Sequence, residues 1–329
     1  MLATSSAPRV RRGLGALLVA PLALAVLAGC SEGSVGLGAP APSSATPTAT
    51  TTTSPSASAS APGSGSGSGE QKPRFERYVA LGDSYTAAPL VPDTDTTNDC
   101  LRSTNNYPAL VAAALPGTEL VDVSCSGADT GSMTGFQQTN GETKPPQFDA
   151  LTEDTDLVTI GIGGNDFNLF ATLVGTCAQL RSSDPVGSPC ADRYSEGASD
   201  ELTRQLDDIS SHVAAVVAGI RDRAPRATVV VVGYPQIIPA RGSCPDLLPL
   251  ALGDYPFARR ISAGLADAVE RGARKAEFVD LFTPSAGHDI CSDDPWINGA
   301  NTDPARALAF HPFAAEQEAA AELVLAELS

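Results

Sequence analysis

Cations are scarce in this chain. Its 329 residues carry 21 Lys and Arg against 38 Asp and Glu, a formal charge of −17. A surface of that sign repels phosphate backbones, which argues against nucleic-acid binding, and it offers no basic patch for anionic lipid. Histidine occurs three times, at His212, His288 and His311. No two of the seven cysteines have the close C-x-x-C spacing of a zinc site. The first long apolar run, residues 14–28, is too short for a secure membrane-spanning helix. Large apolar residues are nearly missing from residues 31–69, where Val35 and Leu37 stand among Ser, Thr, Ala, Pro and Gly. Such a stretch cannot bury enough surface to offset its ordering entropy.

What is present divides the chain into three. Arg9, Arg11 and Arg12, then the apolar run, then Leu27-Ala28-Gly29-Cys30, read as an export signal over residues 1–29. The ending resembles a bacterial lipobox, which implies that Cys30 is lipid-modified after cleavage and becomes the first mature residue. Arg11-Arg12 is a weak match to a twin-arginine signal, so the export route stays open. Loss of the three leader arginines takes the charge to −20. Residues 30–69 read as a flexible tether. Residues 70–329 are ample for one packed domain, expected as a monomer on the outer face of the membrane or secreted.

Within that domain, five segments read as buried strands: 78–81, 119–123, 157–162, 228–232 and 278–281. The β-branched run "TVVVVG" is the clearest. Helical patterns lie between and after them, at 107–115 with Pro108 in the first turn, 200–223, 257–275 and 314–328. In the second of these, Leu202, Leu206, Ile209, Val213, Val216 and Ile220 form one apolar stripe. Alternating strands and helices predict an α/β fold with a parallel sheet covered on both faces. Ligands in such folds sit beyond the carboxyl ends of the strands. Six cysteines remain after Cys30: Cys100, Cys125, Cys177, Cys190, Cys244 and Cys291. An even number in an exported domain predicts three disulfides, with fifteen connectivities open.

The sequence Gly82-Asp83-Ser84-Tyr85 follows the first strand, Gly127 the second, and Gly163-Gly164-Asn165-Asp166 the third. His311-Pro312 precedes the last helix. In this order the blocks resemble the SGNH (GDSL) hydrolases, and the secreted actinobacterial lipase, esterase and phospholipase branch in particular. The resemblance implies a three-layer α/β/α sandwich, flavodoxin-like, around a five-stranded parallel sheet. It implies that Ser84 is a nucleophile and that His311 is its base. The oxyanion donors would be the N–H groups of Ser84 and Gly127 and the Asn165 amide. It also implies the pairs Cys100–Cys125, Cys177–Cys190 and Cys244–Cys291. Each residue has a plainer reading. Serine is common at helix N-caps, glycine is common in turns, and Asn165-Asp166 could be ordinary loop polarity. Asp83 reads as a turn-ordering residue, and His212 as structural within its helix. His288 could bind substrate or compete as the base.

The chain departs from the family at one serious point. Leu308 stands three residues before His311, where the family usually has the aspartate that orients the histidine. The expectation is therefore a Ser-His dyad with the Leu308 carbonyl as acceptor; Asp289, Asp294 and Asp303 are the carboxylates that could fold back instead. The activity implied is hydrolysis of lipid-like or short-to-medium acyl esters through an acyl-enzyme, without a metal or an organic cofactor. Residues 167–194 and 235–255 are apolar enough to line an acyl pocket. The alternatives are a carbohydrate O-acetylesterase and a hydrolase-like binding lipoprotein without activity.

Overall fold

The structure, a computed structural model, describes residues 74–97, 99–195 and 201–329. The signal at 1–29, the tether at 30–69 and Cys30 lie outside the described residues. Five parallel strands form the central sheet: β1 Arg77–Gly82, β2 Glu119–Asp122, β3 Leu157–Gly161, β4 Thr228–Val232 and β5 Glu277–Val279. Their order is β2-β1-β3-β4-β5, with Val79 opposite both Val121 and Val158. The order places the topological switch between β1 and β3, where the crevice of such a sheet opens.

The strand residues alternate between two cores, as the two-residue period of a strand requires. Val79, Leu81, Val158, Ile160, Val229 and Val231 pack on one face. Tyr78, Ala80, Leu157, Val230, Val232 and Val279 pack on the other. The first face is covered by α3 (Glu201–Arg223) and α4 (Tyr255–Gly272), the second by α2 (Tyr107–Ala114) and α5 (Ala314–Glu327). The six stripe residues of α3 are all buried. In α2, Pro108 sits in the first turn and the Asn106 side chain accepts from the Ala109 N–H at 3.1 Å. This satisfies one of the donors a helix start leaves unpaired.

Long segments joining these elements gather at the carboxyl ends of the strands and carry the disulfides. Cys100 is bonded to Cys125, Cys177 to Cys190, and Cys244 to Cys291. Among the described residues, no helix is long and apolar enough to cross a membrane.

Candidate active site

β1 ends in a sharp turn into α1, the single turn Ser84–Ala87. Asp83, not Ser84, caps it: its side chain accepts from the Tyr85 N–H at 2.9 Å. Ser84 is left at the first helical position, with its own N–H unpaired among the described residues. A helix start presents such donors outward, which suits a site where negative charge develops.

The turn after β2 is held on several sides. The Cys125 N–H donates to the Gly82 carbonyl at 3.0 Å and the Ser126 N–H to the Cys100 carbonyl at 3.2 Å. Gln137 Nε2 donates to the Ser126 carbonyl at 2.8 Å. Gly127 follows with φ of +80°, a conformation that favours glycine, and its N–H has no partner among the described residues.

After β3, Asn165 Nδ2 donates to the Ala128 carbonyl at 2.8 Å. That contact brings the amide beside the Gly127 turn and uses one of its two N–H donors. Next to it, Asp166 is buried and accepts from the Thr130 N–H at 2.8 Å and the Thr130 hydroxyl at 2.6 Å. His212 Nδ1 lies 2.7 Å from the same carboxylate. His212 is therefore tied to Asp166, and its exposed partner Phe167 stacks on its ring.

The loop before α5 brings His311 to the Ser84 turn. The Tyr85 hydroxyl donates to the Phe310 carbonyl at 2.9 Å, and the Leu308 N–H to the Pro89 carbonyl at 3.1 Å. The His311 and Tyr85 ring centroids are 5.8 Å apart. The orienting acceptor differs from the one expected. His311 Nδ1 lies 2.7 Å from the carbonyl of Ala309, not of Leu308. Phe310 has φ of +61°, closing a turn in which the Leu308 carbonyl accepts from the His311 N–H and from Asn298 Nδ2, both at 3.2 Å. The turn's hydrogen bond thus occupies Leu308, and the next carbonyl is free for the ring. A carbonyl can only accept, so Nδ1 carries the proton and Nε2 keeps its lone pair. Desolvation holds the imidazole pKa below its ordinary 6.5.

The candidate carboxylates lie elsewhere. Asp289 accepts from the Cys291 N–H, Asp303 from the Ala305 N–H, and Asp294 stands 3.5 Å from His288. His288 stacks on Trp296 and bonds the Asp294 carbonyl. Neither apolar segment forms an acyl pocket on its own. Ile237, Ile238, Leu248 and Leu250 are core residues, as are Leu169 and Leu173. A groove of about 470 Å³ lies instead between residues 129–134 and α3, lined by Met133, Phe148, Phe167 and Val216 among others.

A sequence profile of the GDSL-like lipase/acylhydrolase family matches residues 80–319. The chain belongs to that family. It is a carboxylic ester hydrolase of the lipase and esterase type, with the α/β fold of the SGNH hydrolases. Lipase 2 of Streptomyces coelicolor is 43% identical over 65% of this chain and 72% of its own length. A lipase of Streptomyces rimosus is 35% identical over 67% of this chain and 75% of its own length. Among solved structures, phospholipase A1 from Streptomyces albidoflavus superposes with a TM-score of 0.61 at 27% identity. It covers 77% of this chain and 99% of its own. The extracellular lipase of S. rimosus gives 0.62 at 29%, covering 76% and 99%.

Proposed function

We propose that this serine esterase works through a Ser84–His311 dyad. His311 Nε2 takes the Ser84 hydroxyl proton as Oγ attacks the ester carbonyl carbon. The negative oxygen of the tetrahedral intermediate is held by the N–H groups of Ser84 and Gly127 and the second N–H of Asn165 Nδ2. Collapse expels the alcohol, which takes the proton from His311 and leaves an acyl group on Ser84. Water, deprotonated by the same nitrogen, then releases the acid. The observation that carries this reading is the Ala309 carbonyl on His311 Nδ1, because it supplies the orientation for which the family commonly uses an aspartate.

For the acyl chain, we assign the groove beside Met133 and Val216. Its walls begin two residues after Gly127 and one after Asn165, so they adjoin both proposed donors along the chain. The test is hydrolysis of chromogenic esters from acetyl to palmitoyl. Turnover should vanish in Ser84→Ala, and Val216→Trp should depress long-chain turnover at least tenfold relative to acetyl. Turnover confined to acetyl would favour a carbohydrate O-acetylesterase, and retained turnover in Ser84→Ala would overturn the dyad. No turnover on any ester by folded protein would favour the binding lipoprotein.

The protein is exported, a reading supported by the extracellular S. rimosus relative. To this we add lipidation of Cys30, residues 30–69 as the tether and residues 70–329 as a monomeric catalytic domain. The intact mass of the native protein checks the anchor: an unmodified Cys30 thiol would overturn it.

A further inference from the structure

Tyr234, two residues beyond the end of β4, has no part in the proton transfers above. Its hydroxyl nevertheless lies between two of the proposed groups. It donates to Asp83 Oδ2 and accepts from the Gly164 N–H at 2.8 Å. Asp83 directly precedes Ser84, and Gly164 directly precedes Asn165. The other Asp83 oxygen accepts from the Tyr85 N–H, so the carboxylate is engaged at both ends. Asp83 is 1% exposed and Tyr234 3%. Water is thus shut out as an alternative partner, and each group depends on the others for its hydrogen bonds.

Packing fixes the bridge in place. The Tyr234 ring meets Tyr85 and Phe170 edge-on, each at 5.4 Å, while Tyr85 and Phe170 stack on each other at 5.4 Å. At Gly164 a Cβ would fall 2.2 Å from the Phe170 ring, so only glycine lets the loop come this near. Core filling alone would be served by phenylalanine; the hydroxyl is what joins the two loops.

We propose that Tyr234 is a positioning residue, whose hydroxyl fixes the Asn165 amide relative to Ser84 by bridging Asp83 and the Gly164 N–H. The inference rests on the roles proposed for Ser84 and Asn165. Removing the hydroxyl leaves Asp83 short of a donor and the Gly164 N–H without an acceptor. The Asn165 loop is then free to drift, and a displacement of about 1 Å costs on the order of 100-fold in rate.

The state of Asp83 enters as well. Ionised, it accepts from both Tyr85 and Tyr234; protonated, it becomes a donor toward a hydroxyl that needs its own acceptor. Burial pushes its carboxyl up to about 7, opposed by the bonds from Tyr234 and Tyr85 and reinforced by the charge of Asp166. The titratable groups facing it are Tyr85 on α1, Tyr107 on α2, Tyr234 after β4 and Asp166 after β3. None is a cation that would hold the carboxylate ionised.

The experiment is steady-state kinetics on one soluble ester between pH 5 and 9, for wild type, Tyr234→Phe, Asp83→Asn and Ser84→Ala. Tyr234→Phe keeps the ring and is expected to lose roughly tenfold to 100-fold in kcat, with KM within about threefold. Asp83→Asn should already show above pH 7 the lowered kcat that wild type reaches only below about 7, so the wild-type inflection there disappears and only the limb of His311 is left. A folded Tyr234→Phe with kcat within about twofold of wild type overturns the proposal. If Tyr234→Phe does not fold, Asp83→Asn with wild-type kcat and an unchanged inflection overturns it. Loss of turnover in Ser84→Ala beside an active Tyr234→Phe separates failure of the bridge from failure of the dyad.

Discussion

A carboxylate and a carbonyl both accept the Nδ1 proton of a histidine, but only the carboxylate brings a charge to the imidazolium formed during turnover. His311 has the carbonyl of Ala309 at 2.7 Å, so its tautomer is fixed without that charge. Asp289→Asn, Asp294→Asn and Asp303→Asn should each keep kcat within about threefold. A loss near 10,000-fold in one of them, the scale of a triad aspartate, would reveal a hidden third member. The pH profile follows from the direction of the His311 shift. Desolvation disfavours the charged imidazole, so the base stays neutral to lower pH and its own protonation limb lies below 6.5. It is read most cleanly in Asp83→Asn, where the second carboxyl no longer titrates. The candidate residues were legible because each stands in a distinctive short string after a strand. The Ala309 carbonyl was not, because the choice between two adjacent carbonyls is made by the left-handed Phe310, and nothing about phenylalanine announces that conformation.

At the scale of the element, the strand readings ended within one or two residues of the observed ends, and β4 coincided with 228–232. Buried β-branched runs between turn residues leave little choice of register. The segment between β3 and α3 was less readable. It contains a π-helical stretch, Ala171–Thr176, and two short helices. Its shape depends on contacts far along the chain, such as the Asp254 carboxylate accepting from the Cys190 and Ala191 N–H groups. Helix α5 carries an acid where its pattern calls for an apolar residue. Glu316 is 1% exposed, its nearest partner is Gln317 Nε2, and burial raises its pKa from 4.5 to about 8. A raised folded-state pKa makes stability greatest below the unfolded value and erodes it as pH climbs from about 4.5 through about 8. The slope approaches about 1.4 kcal/mol per pH unit. Glu316→Gln should flatten that decline and unfold at higher denaturant than wild type at pH 9; an unchanged pH dependence in denaturant titrations would refute it.

Across the whole molecule, a sheet with order β2-β1-β3-β4-β5 places the ends of β1, β2 and β3 side by side. That the strands run parallel follows from their alternation with helices, and so was legible in the sequence; their order was not. What the pattern could not convey is how three loops keep a fixed relation without regular structure of their own. The disulfides supply much of that: they close separations of 25, 13 and 47 residues. Replacing Cys100 and Cys125 together by alanine should cost about 3–4 kcal/mol in denaturant titrations on the chain-entropy account. Cys125 of this pair precedes Gly127 by two residues, so kcat should fall further than stability explains, measured where the variant is still folded. A variant with unaltered kcat would show the bond to be a staple for the fold alone.

The Cys100–Cys125 bond also ties the shape of the Gly127 turn to the redox state of the compartment. Thiols in a reducing cytosol stay unpaired, and a nascent chain there lacks the clamp that shapes the turn at Gly127. If kcat falls without the bond as predicted above, the chain reaches its full rate only once oxidised outside the cell, and the compartment that makes it meets the slower form.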